Sequence, residues 1–391
     1  MWQRPKSELT DEDYKEFYKS ITGDWQDPLL WFHTHAEGTL EYTTLFYIPA
    51  KAPMDLYQAE YKGGIKLYVK RVFIMDDSKD LLPQYLRFVR GIIDSEDLPL
   101  NVSREILQQN KVLTAIKTAS VKKILSELKN IAANDKDKYA EFIAQYNRPL
   151  KEGVYGDYAN RETLLDLVRF KSTKVEGMTS LAEAKERMQP NQKALYYITG
   201  GSESMLRNSP LLEIYKKKGI EVLLLDDDID EIVFSTVDKY GDIDLKSVNK
   251  STPDELKDDS APEQTAEKAE ALKPLLEKIK ATLGDAVKDV RASSRLADSP
   301  SVIVSDEDEP SARMRQMMRA MGQKEIPEAT PTLEINPDHE IVKKLLANPD
   351  DTRVADAAWL LFDQALLLEG VPLKDPSAFV QRLNRVLNQS I

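Results

Sequence analysis

Arg104 and Gln108 are the residues whose type and spacing point most directly to chemistry. They follow Asp97, Leu98 and Pro99, where an extended loop gives way to a helical pattern. Pro99 holds the loop extended and biases Leu98 away from helix. Asn101 or Ser103 can cap, and the recurrence of Ile106, Leu107, Ala115, Ile116, Ile124, Leu125 and Leu128 predicts a long helix. Arg104 is then expected in its first turn, beside unpaired backbone N–H groups and the positive end of the helix dipole. A guanidinium there can donate several hydrogen bonds to a phosphate, and Gln108, one turn later, shares its face. An arginine in an acidic chain more often pairs with a carboxylate, and spacing alone leaves both readings open.

Other constellations carry weaker signals. His33 and His35 alternate on a strand pattern, but with three histidines in the chain and no third ligand nearby they read as solvated rather than zinc-bound. Asp226, Asp228 and Asp230 imitate the start of a calcium loop. Glu231 stands where that loop needs Gly and Val237 where it needs Glu, so the signal fails. Gly200, Gly201 and Ser202, between a strand and a helix, can bind a phosphate but equally make an ordinary turn. Met314, Met317, Met318 and Met321 recur at i, i+3, i+4 and i+7 between two loop-like stretches. They predict a short amphipathic helix with an adaptable apolar stripe suited to varied apolar partners.

The elements that must position these residues follow from periodicity and punctuation. Thr10 to Asp13 reads as a capping box opening a helix through Tyr14, Phe17, Tyr18 and Ile21, which Gly23 ends. Alternation through Leu40, Tyr42, Thr44, Phe46 and Ile48, then Ile65, Leu67 and Val69, predicts strands of a sheet with helices on it. Leu195 to Thr199, a helix stopped at Gly219, and Ile220 to Leu225 predict a strand–helix–strand crossover and therefore a parallel sheet. Residues 251–267, rich in Pro, Ser, Asp, Glu and Lys, read as a linker. Leu272, Leu275, Leu276, Ile279 and Leu283 make a helical stripe ended by Gly284. Asn336-Pro337 is expected to open a helix, residues 352–368 form a broadly apolar one, and Asp375-Pro376 starts the last. Leu360, Leu361, Leu366, Leu367 and Leu368 cover more than one helical face. Phe379, Leu383, Val386 and Leu387 stripe the final helix, so pairing two copies into a four-helix bundle is expected.

The 391 residues are ample for two or three domains; 41% are hydrophobic and 31% charged. A formal net charge of −12 gives no basic footprint for nucleic acid, and the absence of cysteine excludes disulfides and thiolate chemistry. The most apolar segment, 357–368, is interrupted by Asp363 and Gln364 and is too short to span a bilayer. No membrane is expected as a partner, and with no signal peptide before the first helix a cytoplasmic location is expected.

The stretch from Asp97 to Lys111 resembles the catalytic loop of the middle domain of heat-shock protein 90 family chaperones, in their bacterial branch. Residues 66–74 resemble the family's preceding strand, residues 85–91 its connecting segment, and residues 331–337 part of its C-terminal domain. The resemblance implies an α/β plus α+β fold: two α/β sandwich subdomains of a middle domain joined by a helical connector, followed by a C-terminal α+β dimerisation domain. The boundaries expected are 1–120, 121–150 for the connector, 151–245, 246–265 for the linker, and 266–391. It also implies that Arg104, with support from Gln108, reaches the terminal phosphate of ATP held in a separate N-terminal domain, and that Phe73 and Asn101 belong to that interdomain surface. Trp25 matches a client-contacting aromatic, and the methionine segment matches a helix facing the client cleft. Nothing in the chain resembles the ATP domain, and no phosphate-loop fingerprint replaces it. The chain is thus expected to be a middle plus C-terminal piece that binds partly folded clients as a homodimer, with no cofactor and no ATPase activity of its own. ATP and magnesium are expected in the longer protein. The alternative is a nucleotide-using α/β enzyme with its phosphate loop at Gly200 to Ser202.

Overall fold

The computed structural model describes residues 1–390 apart from 59–60, 62, 77–79, 101–109, 251–261, 306–308, 310–313, 316–317, 320–329 and 349–352; for 262–269 and 389–390 it describes the backbone alone. The chain divides into two compact units, Met1–Arg169 and Phe170–Ile391.

In the first unit, α1 (Asp11–Thr22) begins at the expected capping box. The Thr10 side chain accepts from the Asp13 N–H while the Asp13 carboxylate takes the Thr10 N–H, and Gly23 closes the helix at φ 72°. Strands β1 (Pro28–Ala36), β2 (Tyr42–Pro49), β3 (Gly64–Val69), β4 (Val72–Asp76) and β5 (Arg90–Ser95) form one sheet in the order β1-β2-β5-β3-β4. Only β3 and β5 pair in parallel. Strand β3 alternates in burial as expected, whereas β2 is buried along nearly its whole length because both faces of this inner strand are covered. Tyr14 and Tyr18 of α1 pack against Leu45 and Tyr47. Tyr146, on a helix introduced below, donates to the Pro49 carbonyl at 2.9 Å and stacks on Phe88 at 4.4 Å. Gly91 lies at φ 136° where a Cβ would meet the Leu45 carbonyl at 2.0 Å, so the close approach of β5 to β2 requires glycine. Helices α2 (Lys111–Asn134), α3 (Lys136–Gly156) and α4 (Arg161–Leu167) follow.

Among the described residues the second unit holds two sheets. In the first, β6 (Lys171–Ser172) is followed by α5 (Leu181–Glu186), β7 (Ala194–Thr199), α6 (Glu203–Arg207), α7 (Glu213–Lys217), β8 (Val222–Leu225), α8 (Asp230–Phe234), β9 (Lys239–Tyr240) and β10 (Ile243–Ser247). The strand order is β6-β8-β7-β10-β9, with β7 parallel to both neighbours. The crossover expected between β7 and β8 is present, but it is broken into α6 and α7 because Pro210 starts a separate 3-10 turn. Helix α9 (Pro262–Leu283) follows; it begins inside the stretch expected to be linker, since Pro262 suits a first helical position and Glu, Gln, Ala and Lys follow it.

The second sheet is β11 (Asp289–Ala292), β12 (Ser301–Val304) and β13 (Thr332–Ile335), ordered β11-β13-β12. Helices α10 (Glu340–Ala347), α11 (Arg353–Leu368) and α12 (Pro376–Ser390) end the chain. Helix α10 starts later than expected: His339, not Asn336, is its cap and accepts the Ile341 N–H, while Asn336 donates to the Ala297 and Ser299 carbonyls. The alternation of β12 divides its side chains between two cores. Ile303 packs with Leu272, Leu275, Ile279 and Phe362, while Val302 and Val304 pack with Tyr196, Tyr215 and Val248.

Candidate functional site

Arg104, Gln108 and Asn101 lie outside the described residues; what is described is the frame on either side of them. On the near side, β5 ends at Asp94 and Ser95, both buried. The Ser95 hydroxyl accepts the Asp97 and Leu98 N–H groups at 3.3 Å, and Leu98 is inserted into the core at 1% exposure. Asp94 accepts from Trp2 Nε1 at 2.8 Å, Gln3 Nε2 at 2.7 Å and the Arg71 N–H at 3.2 Å. It thereby ties the first residues and the β3–β4 turn to the root of the loop. That turn holds Lys70 at φ 51° and Arg71 at φ 69°, left-handed conformations uncommon for non-glycine residues but needed at both central positions of a two-residue hairpin turn. Phe73, just beyond it, is half exposed and meets Tyr68 edge-on at 5.6 Å, and the Trp2 ring lies 4.9 Å from that of Tyr68. Sequence reasoning overlooked Asp94. Its signal was a carboxylate set among Gly91, Ile92 and Ile93, where a strand would otherwise be apolar.

On the far side, the long helix begins at Lys111. Asn110 has extended backbone and its side-chain oxygen accepts the Val112 and Leu113 N–H groups. The expectation that this helix starts at Asn101 or Ser103, with Arg104 in its first turn, is therefore corrected: its cap is Asn110, six positions beyond Arg104.

Trp25 is 93% exposed. The loop that carries it is fixed at both ends: Asp24 accepts the Tyr18 hydroxyl at 2.7 Å, and Asp27 pairs with Lys15 at 3.0 Å and Lys19 at 2.7 Å. The two strand histidines separate. His33, expected to be solvated, is 8% exposed between the Tyr14 hydroxyl at 2.8 Å and the Trp2 carbonyl at 2.9 Å, whereas His35 stands half exposed near Glu37. Burial pushes His33 below the ordinary 6.5, so the fold keeps a neutral ring that the unfolded chain protonates. The stability His33 contributes is present above about 6.5 and lost as pH falls below it. His33→Asn is accordingly expected to flatten the fall of melting temperature between about pH 7 and 5 relative to the parent chain, as read by calorimetry.

The glycine turn at the end of β7 does not make a phosphate cradle. Ser202 caps α6, a helix of five residues, and a Cβ at Gly200 would meet the Leu206 side chain at 2.5 Å, so the glycine serves the packing of that leucine. The small pocket beside it is lined by two acidic side chains, Glu231 and Glu369, and its described lining offers a phosphate no basic one. The aspartates after β8 are likewise structural. Asp226 pairs with Lys171 at 2.7 Å, Asp230 is buried, and no cluster able to hold a metal occurs among the described residues.

Of the methionine stripe, Met317 and Met321 lie outside the described residues. Met314 and Met318 are half-buried in helical backbone, with Arg315 between them buried and Arg319 exposed. In the last two helices, Leu361 is 3% exposed and belongs to the core with Leu276 and Phe362, so it is withdrawn from the expected pairing surface. Leu360, Phe379 and Val386 are half-buried, and Leu367, Leu368, Val380, Leu383 and Leu387 are exposed. Arg382 lies over the Trp359 ring at 4.9 Å and Arg385 pairs with Asp356 at 2.7 Å, so this side of α12, with Phe379 and Val386 half-buried along it, faces α11, while Val380, Leu383 and Leu387 are exposed.

The model of the Hsp90 protein family matches residues 1–391. The chain is 57% identical over 392 residues to "Chaperone protein HtpG" of Treponema denticola, covering 99% of this chain and 61% of that protein. It is 55% identical to the proteins of the same name in Treponema pallidum and Aliarcobacter butzleri, covering 99% and 100% of this chain and 61% and 62% of theirs. It thus spans about three fifths of the length of these relatives. No described helix is long and apolar enough to cross a membrane. With the family model matched from the first residue to the last, the chain belongs to the Hsp90 family.

Proposed function

We propose that this chain is the middle and C-terminal part of an ATP-dependent cytoplasmic chaperone, with domain limits near residues 120, 150, 245 and 265. In this reading it binds partly folded proteins through exposed apolar side chains and pairs with a second copy through its last two helices. Within the whole protein it brings Arg104, supported by Gln108, to the terminal phosphate of ATP and magnesium bound elsewhere; Phe73 and Asn101 take part in the contact between domains. The relatives that share its sequence are named chaperones, and the whole protein's activity is carried over from them.

The observation that carries the client-binding part is Trp25. A tryptophan at 93% exposure on a loop pinned by Asp24 and Asp27 stabilises nothing in its own chain and offers a large rigid apolar face to a partner. Met314, Met317, Met318 and Met321 are proposed as an adaptable second contact. Trp25→Ser is expected to leave the melting temperature within about a degree of the parent chain, as exposed substitutions do. It is also expected to weaken capture of an unfolded protein by about tenfold, the usual scale for an aromatic anchor. Both are read from thermal unfolding and from fluorescence titration with a permanently unfolded protein. Unchanged capture sinks this assignment, and a large drop in melting temperature shows Trp25 to be structural.

A further inference from the structure

Glu369 is the first residue past α11, and its backbone is held. Gly370 follows at φ 71°, and the Val371 N–H returns to the Leu366 carbonyl at 2.9 Å, closing the helix end in a left-handed cap. The residue as a whole keeps some exposure, but its carboxyl is enclosed in the pocket where the ends of β7 and β10 meet the β12–β13 sheet. Thr199 and Asn249 form one wall; Ile303, Val304 and Pro331 form an apolar one.

Asn249 is the bolt of this junction. Its side-chain oxygen accepts the Thr199 N–H at 3.0 Å, and its amide donates to the Thr199 carbonyl at 3.1 Å and to Glu369 Oε2 at 3.3 Å. Among the described residues that amide is the one hydrogen-bond donor to Glu369. An ionised carboxylate with so little solvation is poorly held in an apolar pocket, and a neutral one is well held. The other charged groups facing it are Glu231 of α8, which repels the ionised form, and Arg295, which attracts it but is already paired with Glu334 at 3.0 Å.

We propose that Glu369 is a proton-operated latch that holds the end of α11, and with it the final helix, against the β7 and β10 strand ends when protonated and loosens it when ionised. Burial raises this carboxyl from 4.5 to about 7; the Asn249 amide opposes the shift, the Glu231 carboxylate reinforces it, and Arg295 opposes it again. The closed junction keeps a proton that the opened one releases. Stability of the closed form is therefore full below 4.5, declines as pH rises to about 7, and is level above that. The latch stands on this geometry alone and does not depend on the chaperone reading.

Backbone hydrogen exchange of the whole chain tests it, followed at residues 198–200, 248–250 and 366–371 at about pH 6 and about pH 8. After correction for the intrinsic hydroxide-catalysed rate, protection of the parent chain is expected to fall about tenfold between the two conditions. Glu369→Gln, which copies the shape of the neutral carboxyl, is expected to stay protected at both. No pH-dependent loss in the parent, or an equal loss in the variant, overturns the latch. A Glu369→Gln chain that fails to fold overturns it too, since the neutral form is the one the closed junction is argued to prefer.

Discussion

Leu383→Asp together with Leu387→Asp is expected to convert the chain from dimer to monomer while leaving each copy folded. The polar side of α12 is already occupied by Trp359 and Asp356, reached from Arg382 and Arg385, so the helix does not depend on Leu383 and Leu387 to stay against α11. Those leucines and Val380 lie at i, i+3 and i+7 on the other side, exposed by 37%, 47% and 50%. A second copy related by a twofold axis covers the same stripe on both chains at once. Burying four leucines at about 1.5 kcal/mol each amounts to about 6 kcal/mol, so their loss weakens association roughly 10⁴-fold before the cost of burying aspartate is added. Sedimentation of parent and variant at micromolar concentration decides it. A variant that remains dimeric moves the interface elsewhere.

Arg104→Ala, made in a protein that also carries the family's ATP domain, is expected to cut ATP turnover by about tenfold to a hundredfold. A charge-assisted hydrogen bond to a phosphate is worth about 1.5 to 3 kcal/mol, and each 1.36 kcal/mol is a factor of ten in rate. The loss is expected in kcat, with KM for ATP nearly unchanged, because the arginine acts on a nucleotide that other residues bind. In the chain alone the same substitution is expected to leave the fold intact, since Leu98 and Asn110 anchor the loop's two ends without it. Unchanged turnover would remove Arg104 from the reaction, and calorimetric binding of ATP by the chain alone would contradict the placing of the nucleotide pocket elsewhere.

Local interactions made much of this molecule legible from its residues. The Thr10–Asp13 box, the stop at Gly23, the stripe from Leu272 to Leu283 and the parallel pairing of β7 with β8 each depend on neighbours a few residues apart or on the handedness of a short connection. Family membership was legible as well, because it rests on residue order rather than on shape. Three-dimensional packing alone decided the rest. Asn101, Ser103 and Asn110 are all lawful caps, and the fold uses the last for the long helix, whose Leu113 and Ile116 are buried. Leu361 and Leu367 read alike in a leucine-rich run, yet one faces Leu276 and the other solvent, because a broadly apolar helix does not reveal which side its own core will cover. His33 was hidden by the Tyr14 and Trp2 that close over it, and Glu369 by Asn249, 120 positions earlier in the chain. The chemistry of such groups is set by solvent exclusion and by partners brought together through the fold, and neither quantity is a property of sequence neighbours.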